Sequence, residues 1–101
     1  MPKLYDYLGL RVFFYSTEHE PVHVHGFKAG RESKAEIILI DGRIVEIRIG
    51  TVQGMRPLEG AALADFQRLV RRRALDIVNK WVDFFVHHRQ ITSERITQRL
   101  K

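Results

Sequence analysis

A continuous apolar stripe in the second half of the chain is the feature that most constrains the fold. At about 100° per residue, nine apolar residues fall within an arc of about 120°, with charged residues on the opposite side. The nine are Leu63, Phe66, Val70, Ala74, Ile77, Val78, Trp81, Phe84 and Phe85. No glycine or proline interrupts this phase. The pattern predicts one long amphipathic helix over about residues 60–88, whose apolar face includes Trp81 and covers a small sheet.

The first half of the chain, residues 8–49, has the composition of β-strands. Leu8 to Tyr15 and Val22 to Phe27 are rich in aromatic and β-branched residues, which favour extended structure. Lys28 to Ser33 is polar and contains a glycine, so we expect a loop there. Residues 50–58 contain two glycines and a proline and are typical of a connector leading to the helix.

The Asp41-Gly42 pair lies between two β-branched runs. It indicates a two-residue hairpin turn, because both central residues of a type I′ turn need a positive φ. Such a turn places Leu39 opposite Ile44. It also places Ile38 opposite Val45.

Together these elements predict a single α+β domain over residues 1–101. We expect a small, mostly antiparallel sheet of about four strands packed on one long C-terminal amphipathic helix. Residues 90–101 are compatible with two structures. They can form an added edge strand that includes Ile91 and Ile96, or a helical turn capped by Ser93.

Composition excludes several classes of protein. The 101 residues include no cysteine, which excludes disulfides, thiolate metal sites and cysteine nucleophiles and is typical of the reducing cytoplasm. The longest aliphatic run, Ile37 to Ile40, is far shorter than the roughly 20 residues that cross a bilayer. The N-terminus also lacks the apolar stretch of a secretion signal. We therefore expect a cytoplasmic protein that does not associate with a membrane.

A histidine-rich turn is the first candidate functional site; its residues are Glu18, His19, Glu20, His23 and His25. His23 and His25 are two residues apart, so on a strand their side chains point to the same face. With His19 returned by the bend at Pro21, the three imidazoles are candidate ligands for zinc or another divalent metal, which would activate water for hydrolysis.

A structural role for the same histidines is the alternative, and it requires no cofactor. In that role the two strand histidines stack on aromatic neighbours and hydrogen-bond to Glu36 or to a backbone carbonyl. The aromatic candidates are Phe13, Tyr15 and Phe27. We favour this structural or partner-contact reading, and therefore expect no cofactor.

A basic cluster on the helix is the second candidate site; it consists of Arg68, Arg71, Arg72 and Arg73. The chain carries 17 Lys and Arg against 12 Asp and Glu, a formal net charge of +5, which favours contact with polyanions such as nucleic acid. At helical spacing, however, Asp65 and Asp76 are expected to pair with Arg68 and Arg72. Those ion pairs favour a solvated helix face over phosphate contact.

Four groups of residues together match the pattern of one known protein family. They are Tyr7, Gly9, Leu10, Val12, Phe14 and Tyr15, then Glu18, His19, Pro21, His23 and His25, then Lys34, Ala35 and Ile37, and finally Ile77 to His88 with Trp81. On these residues the sequence resembles the small bacterial proteins of the domain of unknown function 4160 family. The resemblance covers nearly the whole chain, and its most specific part is the histidine turn. Glu18 stands where the family usually has Asp, and Val22 where a second Pro is common.

The resemblance implies a context like that of toxin–antitoxin gene pairs, and hence a small protein partner encoded nearby. The sequence shows no Ser-His-Asp pattern, phosphate-binding glycine loop or paired-carboxylate spacing, which favours a role other than catalysis. We therefore expect a non-catalytic protein-interaction component of a toxin–antitoxin-like or regulatory pair. The alternatives are a metal-dependent hydrolase or nuclease centred on the histidine turn, and a nucleic-acid-binding module that uses the helix arginines.

Overall fold

The computed structural model describes residues 2–15 and 21–101. Strands and helices follow one another along the chain, with five strands before the helices and one after them. The elements are β1 (Lys3–Tyr7), β2 (Leu10–Phe13), β3 (His23–Lys28), β4 (Arg31–Ile40), β5 (Arg43–Thr51), α1 (Gly60–Arg72), α2 (Ala74–Trp81), a π-helical turn (Val82–Val86) and β6 (Glu94–Ile96).

The strands form one mixed sheet in the order β5-β4-β3-β2-β1-β6. The first five strands pair antiparallel with their neighbours in sequence. The last strand, β6, returns from the far end of the chain and pairs parallel with β1. The histidine-bearing strand β3 therefore lies inside the sheet, whereas β5 and β6 form its two edges.

Three of the connections between the antiparallel strands are two-residue turns. In each turn both residues have a positive φ, between 51° and 86°, as a type I′ hairpin turn requires. Glycine takes the second position every time, because it adopts this conformation without steric cost. The three turns are Leu8-Gly9, Ala29-Gly30 and Asp41-Gly42.

The predicted sheet of about four strands is wrong, because the sheet has six. Leu8 and Ala29 are not residues that mark a turn, so the first two turns were hidden in the sequence. The predicted strand over Leu8–Tyr15 is shorter, because Leu8 and Gly9 form the turn that joins it to the preceding strand β1. The predicted loop over Lys28–Ser33 is a tight turn between the end of β3 and the start of β4. In the tail, the edge-strand alternative is the one that the structure adopts.

The single long helix is also wrong. Backbone hydrogen bonds continue on both sides of Arg73, but that residue itself leaves helical geometry, with φ −113° and ψ 15°. A one-residue interruption does not shift the apolar phase, so periodicity could not reveal it. The break allows α1 to pack over β3 while α2 packs over β1 and β2. In the described ranges, no helix is long and apolar enough to cross a membrane.

The Asp41-Gly42 hairpin has the predicted turn but only part of the predicted register. Leu39 pairs with Ile44 as expected, whereas Ile38 pairs with Glu46 instead of Val45. A β-bulge at this point inserts one extra residue into β5 and displaces all later pairs by one position. The bulge leaves the Val45 side chain 54% exposed.

The core lies between one face of the sheet and the helices, and α1 contacts the strand backbone closely at Gly26 in β3. A Cβ atom at this position would lie 2.5 Å from Cδ1 of Phe66, so the ring of α1 rests directly on the strand backbone. The largest fully buried side chains around this contact are Tyr5, Tyr7, Phe14, Phe66, Leu4, Leu10, Ile37, Leu69, Ile77, Val12, Val24 and Val70.

A polar clamp joins α2 to the sheet. The buried Tyr5 hydroxyl of β1 donates a hydrogen bond to Asp76, and the Lys80 ammonium lies 3.2 Å from the same carboxylate and 4.4 Å from the centre of the Tyr5 ring. Burial, followed by the neighbouring carboxylate, raises the pKa of Tyr5 above its ordinary value. Burial alone would raise the pKa of Asp76, but Tyr5 and Lys80 outweigh it and hold that pKa below its ordinary value.

Replacing Gly26 with alanine should destabilise the protein by about 1–3 kcal/mol, because the added methyl group overlaps the Phe66 ring. Gly50→Ala is the matched control. There the new Cβ would meet only the flexible Lys34 side chain, at 3.4 Å, and the change should be neutral or slightly stabilising. Equilibrium urea unfolding of both variants measures the difference. Equal free energies of unfolding for the two variants would contradict this account of the interlayer contact.

Candidate functional site

His23 and His25 lie on β3, on the sheet face opposite to the one that carries Gly26. Their ring centres are 5.3 Å apart. The strand is flanked by β2 on one side and β4 on the other, so both neighbours supply side chains to the same face. The site is therefore built by three adjacent strands.

A buried carboxylate organises the site. Glu32 of β4 is only 4% exposed and His25 only 5%. One oxygen of Glu32, Oε2, accepts a hydrogen bond from the Tyr15 hydroxyl at 2.9 Å and lies 3.2 Å from Nδ1 of His25. Because an ionised carboxylate only accepts hydrogen bonds, Nδ1 of His25 carries the proton in this contact. The carboxylate thus fixes the orientation of the imidazole.

Aromatic rings hold the same imidazole in place. The Phe13 ring stacks on His25 with 5.7 Å between centres, and Tyr15 meets it edge-on at 4.5 Å. Phe13 lies directly opposite His25 in the pairing of β2 with β3, so the strand register itself creates the stack. The expectation that a strand histidine stacks on an aromatic neighbour is confirmed for His25 and Phe13, whereas Tyr15 contacts the same ring edge-on.

His23 connects the sheet to the end of the helical layer. Its Nδ1 lies 2.8 Å from the carbonyl oxygen of Pro21, so this ring too carries its proton on Nδ1. The ring centre lies 5.4 Å from that of Trp81, which in turn lies 4.2 Å from that of Phe85. Phe85 belongs to the π-helical turn, a local widening of the helix that is frequent at functional sites.

Sequence reasoning named Glu36 or a backbone carbonyl as the hydrogen-bond partner of these histidines, and it missed Glu32. The backbone carbonyl is confirmed for His23, which contacts Pro21. Glu36 lies opposite His23 in the strand pairing, whereas the carboxylate that reaches His25 is two positions closer to the turn than the residue opposite His25. Glu32 was hidden because its segment reads as a polar loop. The signal that could have revealed it is the Ala29-Gly30 pair: a two-residue turn there places Phe27 opposite Glu32, diagonal to His25.

The predicted metal set is only partly described. Glu18, His19 and Glu20 lie outside the described residues, so the structure places only His23 and His25. Among residues 2–15 and 21–101, no three His, Asp or Glu side chains form a group that could hold a metal ion.

The basic cluster divides into two parts. Arg68, Arg71 and Arg72 line one groove together with Lys101, with a volume of about 320 Å³. Arg73 instead pairs with Glu94 of β6 at 3.6 Å.

The expected ion pairs along the helix do not form. Asp65 binds Arg99 of the tail with two hydrogen bonds of 3.0 and 3.2 Å, and Asp76 belongs to the clamp with Tyr5 and Lys80. Both acids are therefore used for tertiary contacts. Nucleic-acid contact by the arginine groove stays a prediction.

Comparison with known protein families identifies the family of the chain. The profile of the family described as Domain of unknown function (DUF4160) matches residues 9–82. The chain belongs to the DUF4160 family. Comparisons with curated proteins and with solved structures give no match.

The DUF4160 match includes the central structure of the site but not its whole frame. Residues 9–82 contain β2 to α2, and therefore the histidines, Glu32 and Trp81. The matched range does not include β1, nearly all of the π-helical turn, or β6. The hydrogen-bonded histidine cluster thus lies within the part that matches the DUF4160 profile.

Replacing Glu32 with alanine should cost this DUF4160 domain about 2–3 kcal/mol of unfolding free energy, because it removes the acceptor of the buried His25 and of Tyr15. The matched control is Glu36→Ala, a carboxylate on the same strand that is half-buried. We expect less than about 0.5 kcal/mol from the control. Chemical denaturation of both variants tests the role assigned to Glu32. A larger loss of unfolding free energy for Glu36→Ala than for Glu32→Ala would contradict that role.

Proposed function

We propose that the protein is a non-catalytic protein-interaction component of a toxin–antitoxin-like or regulatory pair. The contact with the partner is made by the aromatic surface, which we define as Tyr15, His23, Phe84, Phe85 and Val86. The observation that supports this assignment is a chain of ring contacts that runs from the Tyr15–His25 pair through His23 and Trp81 to the π-helical turn.

The aromatic surface has the composition of a binding site for another protein. Tyr15 and Val86 are 36% and 60% exposed, and Phe84 and Phe85 are half-buried. These two phenylalanines border a groove of about 320 Å³, whose other lining residues are His88, Arg89 and Gln90. Aromatic residues and arginine are enriched in protein interfaces, where large rings bury much area at little cost in side-chain entropy.

The histidines support this surface by holding it in one shape. The proton of His25 Nδ1 is directed at the buried Glu32 and that of His23 at a backbone carbonyl. Such fixed rings act as a rigid base for the exposed aromatic side chains, which lowers the entropy lost on binding. The net charge of +5 favours an acidic partner, because opposite charge accelerates association.

The test is binding of the full chain to the small protein encoded beside it, measured by titration calorimetry on purified proteins. Val86→Asp places a charge within the aromatic surface and should weaken binding at least tenfold. Ile40→Asp is the matched control, since Ile40 is 59% exposed at the far end of β4. We expect the control to bind like the unchanged protein. Equal affinities for the two variants, or no binding by the unchanged protein, would refute the proposal.

Metal-dependent hydrolysis is the second candidate, and one observation favours it. Histidines that bind a metal through Nε2 typically donate Nδ1–H to a carboxylate or a backbone carbonyl, and His25 and His23 have these two partners. Two imidazoles on one zinc ion have ring centres roughly 5 Å apart, as follows from zinc–nitrogen bonds of about 2 Å. The observed separation is 5.3 Å.

Elemental analysis of the purified protein tests this candidate. If the protein is a metal-dependent hydrolase, we expect close to one equivalent of zinc or another divalent metal per unchanged chain. We expect the His23→Ala variant to lose this metal. His87→Ala is the control, because His87 is exposed beyond the π-helical turn. Equal and sub-stoichiometric metal in the unchanged chain and in His23→Ala would remove metal hydrolysis as a candidate.

A further inference from the structure

The edge strand β5 is the most exposed apolar element of the sheet. It has nine residues, and in the described part of the chain it pairs on one side only, with β4. The opposite edge strand, β6, has only three residues. Natural sheets shorten or shield their edges, because an open edge presents unpaired backbone groups to other strands. Because β5 is long and open whereas the opposite edge is short, β5 is the side of the sheet that can accept another strand.

The side chains of β5 also favour an additional strand. Val45 and Ile49 are 54% and 36% exposed. With Ile44 and Ile47 they line a groove of about 440 Å³ that α1 borders on its other side. β-Branched residues dominate the strand, which is the composition that pairs well with a second strand.

The charges on β5 show which strand fits. Glu46 and Arg48 lie two residues apart on the same face, at 2.6 Å from each other, and both are about half exposed. They flank Ile47, which is the midpoint of Arg43–Thr51. If two copies of β5 run antiparallel with Ile47 opposite Ile47, each Glu46 lies opposite Arg48 of the other copy. The same register places Val45 opposite Ile49 and uses the whole strand.

Neighbouring registers are unfavourable. A displacement by one residue places Glu46 or Arg48 opposite an apolar side chain of the other copy. A displacement by two residues places Glu46 opposite Glu46, or Arg48 opposite Arg48. Like charges directly opposite each other destabilise a strand pair, so the sequence of β5 selects a single self-complementary register.

We propose that β5 pairs with β5 of a second copy of the chain, antiparallel and centred on Ile47, so that the two sheets become one continuous twelve-stranded sheet. The two-fold axis passes through the Ile47 pair, and the isoleucines and valines of both grooves cover each other. This contact shares no residue with the aromatic surface.

Charge reversal tests this proposal on the full chain, by sedimentation equilibrium at concentrations up to about 0.1 mM. We expect a dimer for the unchanged protein. Glu46→Arg places two cations opposite each other at both ends of the pair and should raise the dimer dissociation constant at least tenfold. Arg48→Glu should do the same with two anions. The double variant Glu46→Arg/Arg48→Glu restores opposite charges and should restore the dimer.

Because Glu46 and Arg48 are exposed, all variants should still fold and unfold cooperatively on heating. A variant that has lost the dimer should unfold at a somewhat lower temperature, because association stabilises the folded chain. A monomeric unchanged protein, single variants that remain fully dimeric, or a folded double variant that stays monomeric would each overturn the proposal. Binding of the neighbour-encoded protein by a monomeric variant would leave the proposed function intact. Failure of the dimer and failure of the partner contact are thus distinguishable.

Discussion

The contact between the Phe66 ring and the backbone of Gly26 is the constraint on which the rest of the structure depends. Gly26 lies on β3, inside the sheet, and it has no side chain to separate α1 from the strand. The two layers therefore approach each other closely at the strand that carries the histidines. Because side chains alternate along a strand, a glycine that faces the helix sends His25 and Phe27 to the other face, where the site forms.

From this contact the helical layer has to bend to cover the remaining strands. The break at Arg73 lets α2 reach β1 through Asp76 and Tyr5. It also lets Trp81 reach Phe14, the residue that follows β2. Trp81 at the end of α2 contacts His23, and the π-helical turn that follows places Phe85 against Trp81. The aromatic surface is thus a consequence of where the helix ends.

A fair part of the fold was predictable from particular residues. The Asp41-Gly42 turn and the apolar phase of residues 63–85 are local properties, and both agree with the structure. The pairing of Glu32 with His25 was not predictable, because it depends on Ala29-Gly30 forming a tight turn, and alanine rarely adopts a positive φ. The bulge at Val45 was equally hidden, because nothing in a β-branched run marks where one residue is added.

The sequence by itself determined particular local features: the turn at Asp41-Gly42, the apolar phase of residues 63–85 and the shared face of His23 and His25. It also showed the resemblance to the DUF4160 family. Tertiary structure alone decided which groups these residues meet. In the folded chain Asp65 binds Arg99 instead of Arg68, and Asp76 binds Tyr5 and Lys80. The tail forms a strand that pairs with β1. The reason is physical: local propensity depends on neighbours within one or two turns, whereas ion pairs and strand partners depend on which surfaces packing brings together.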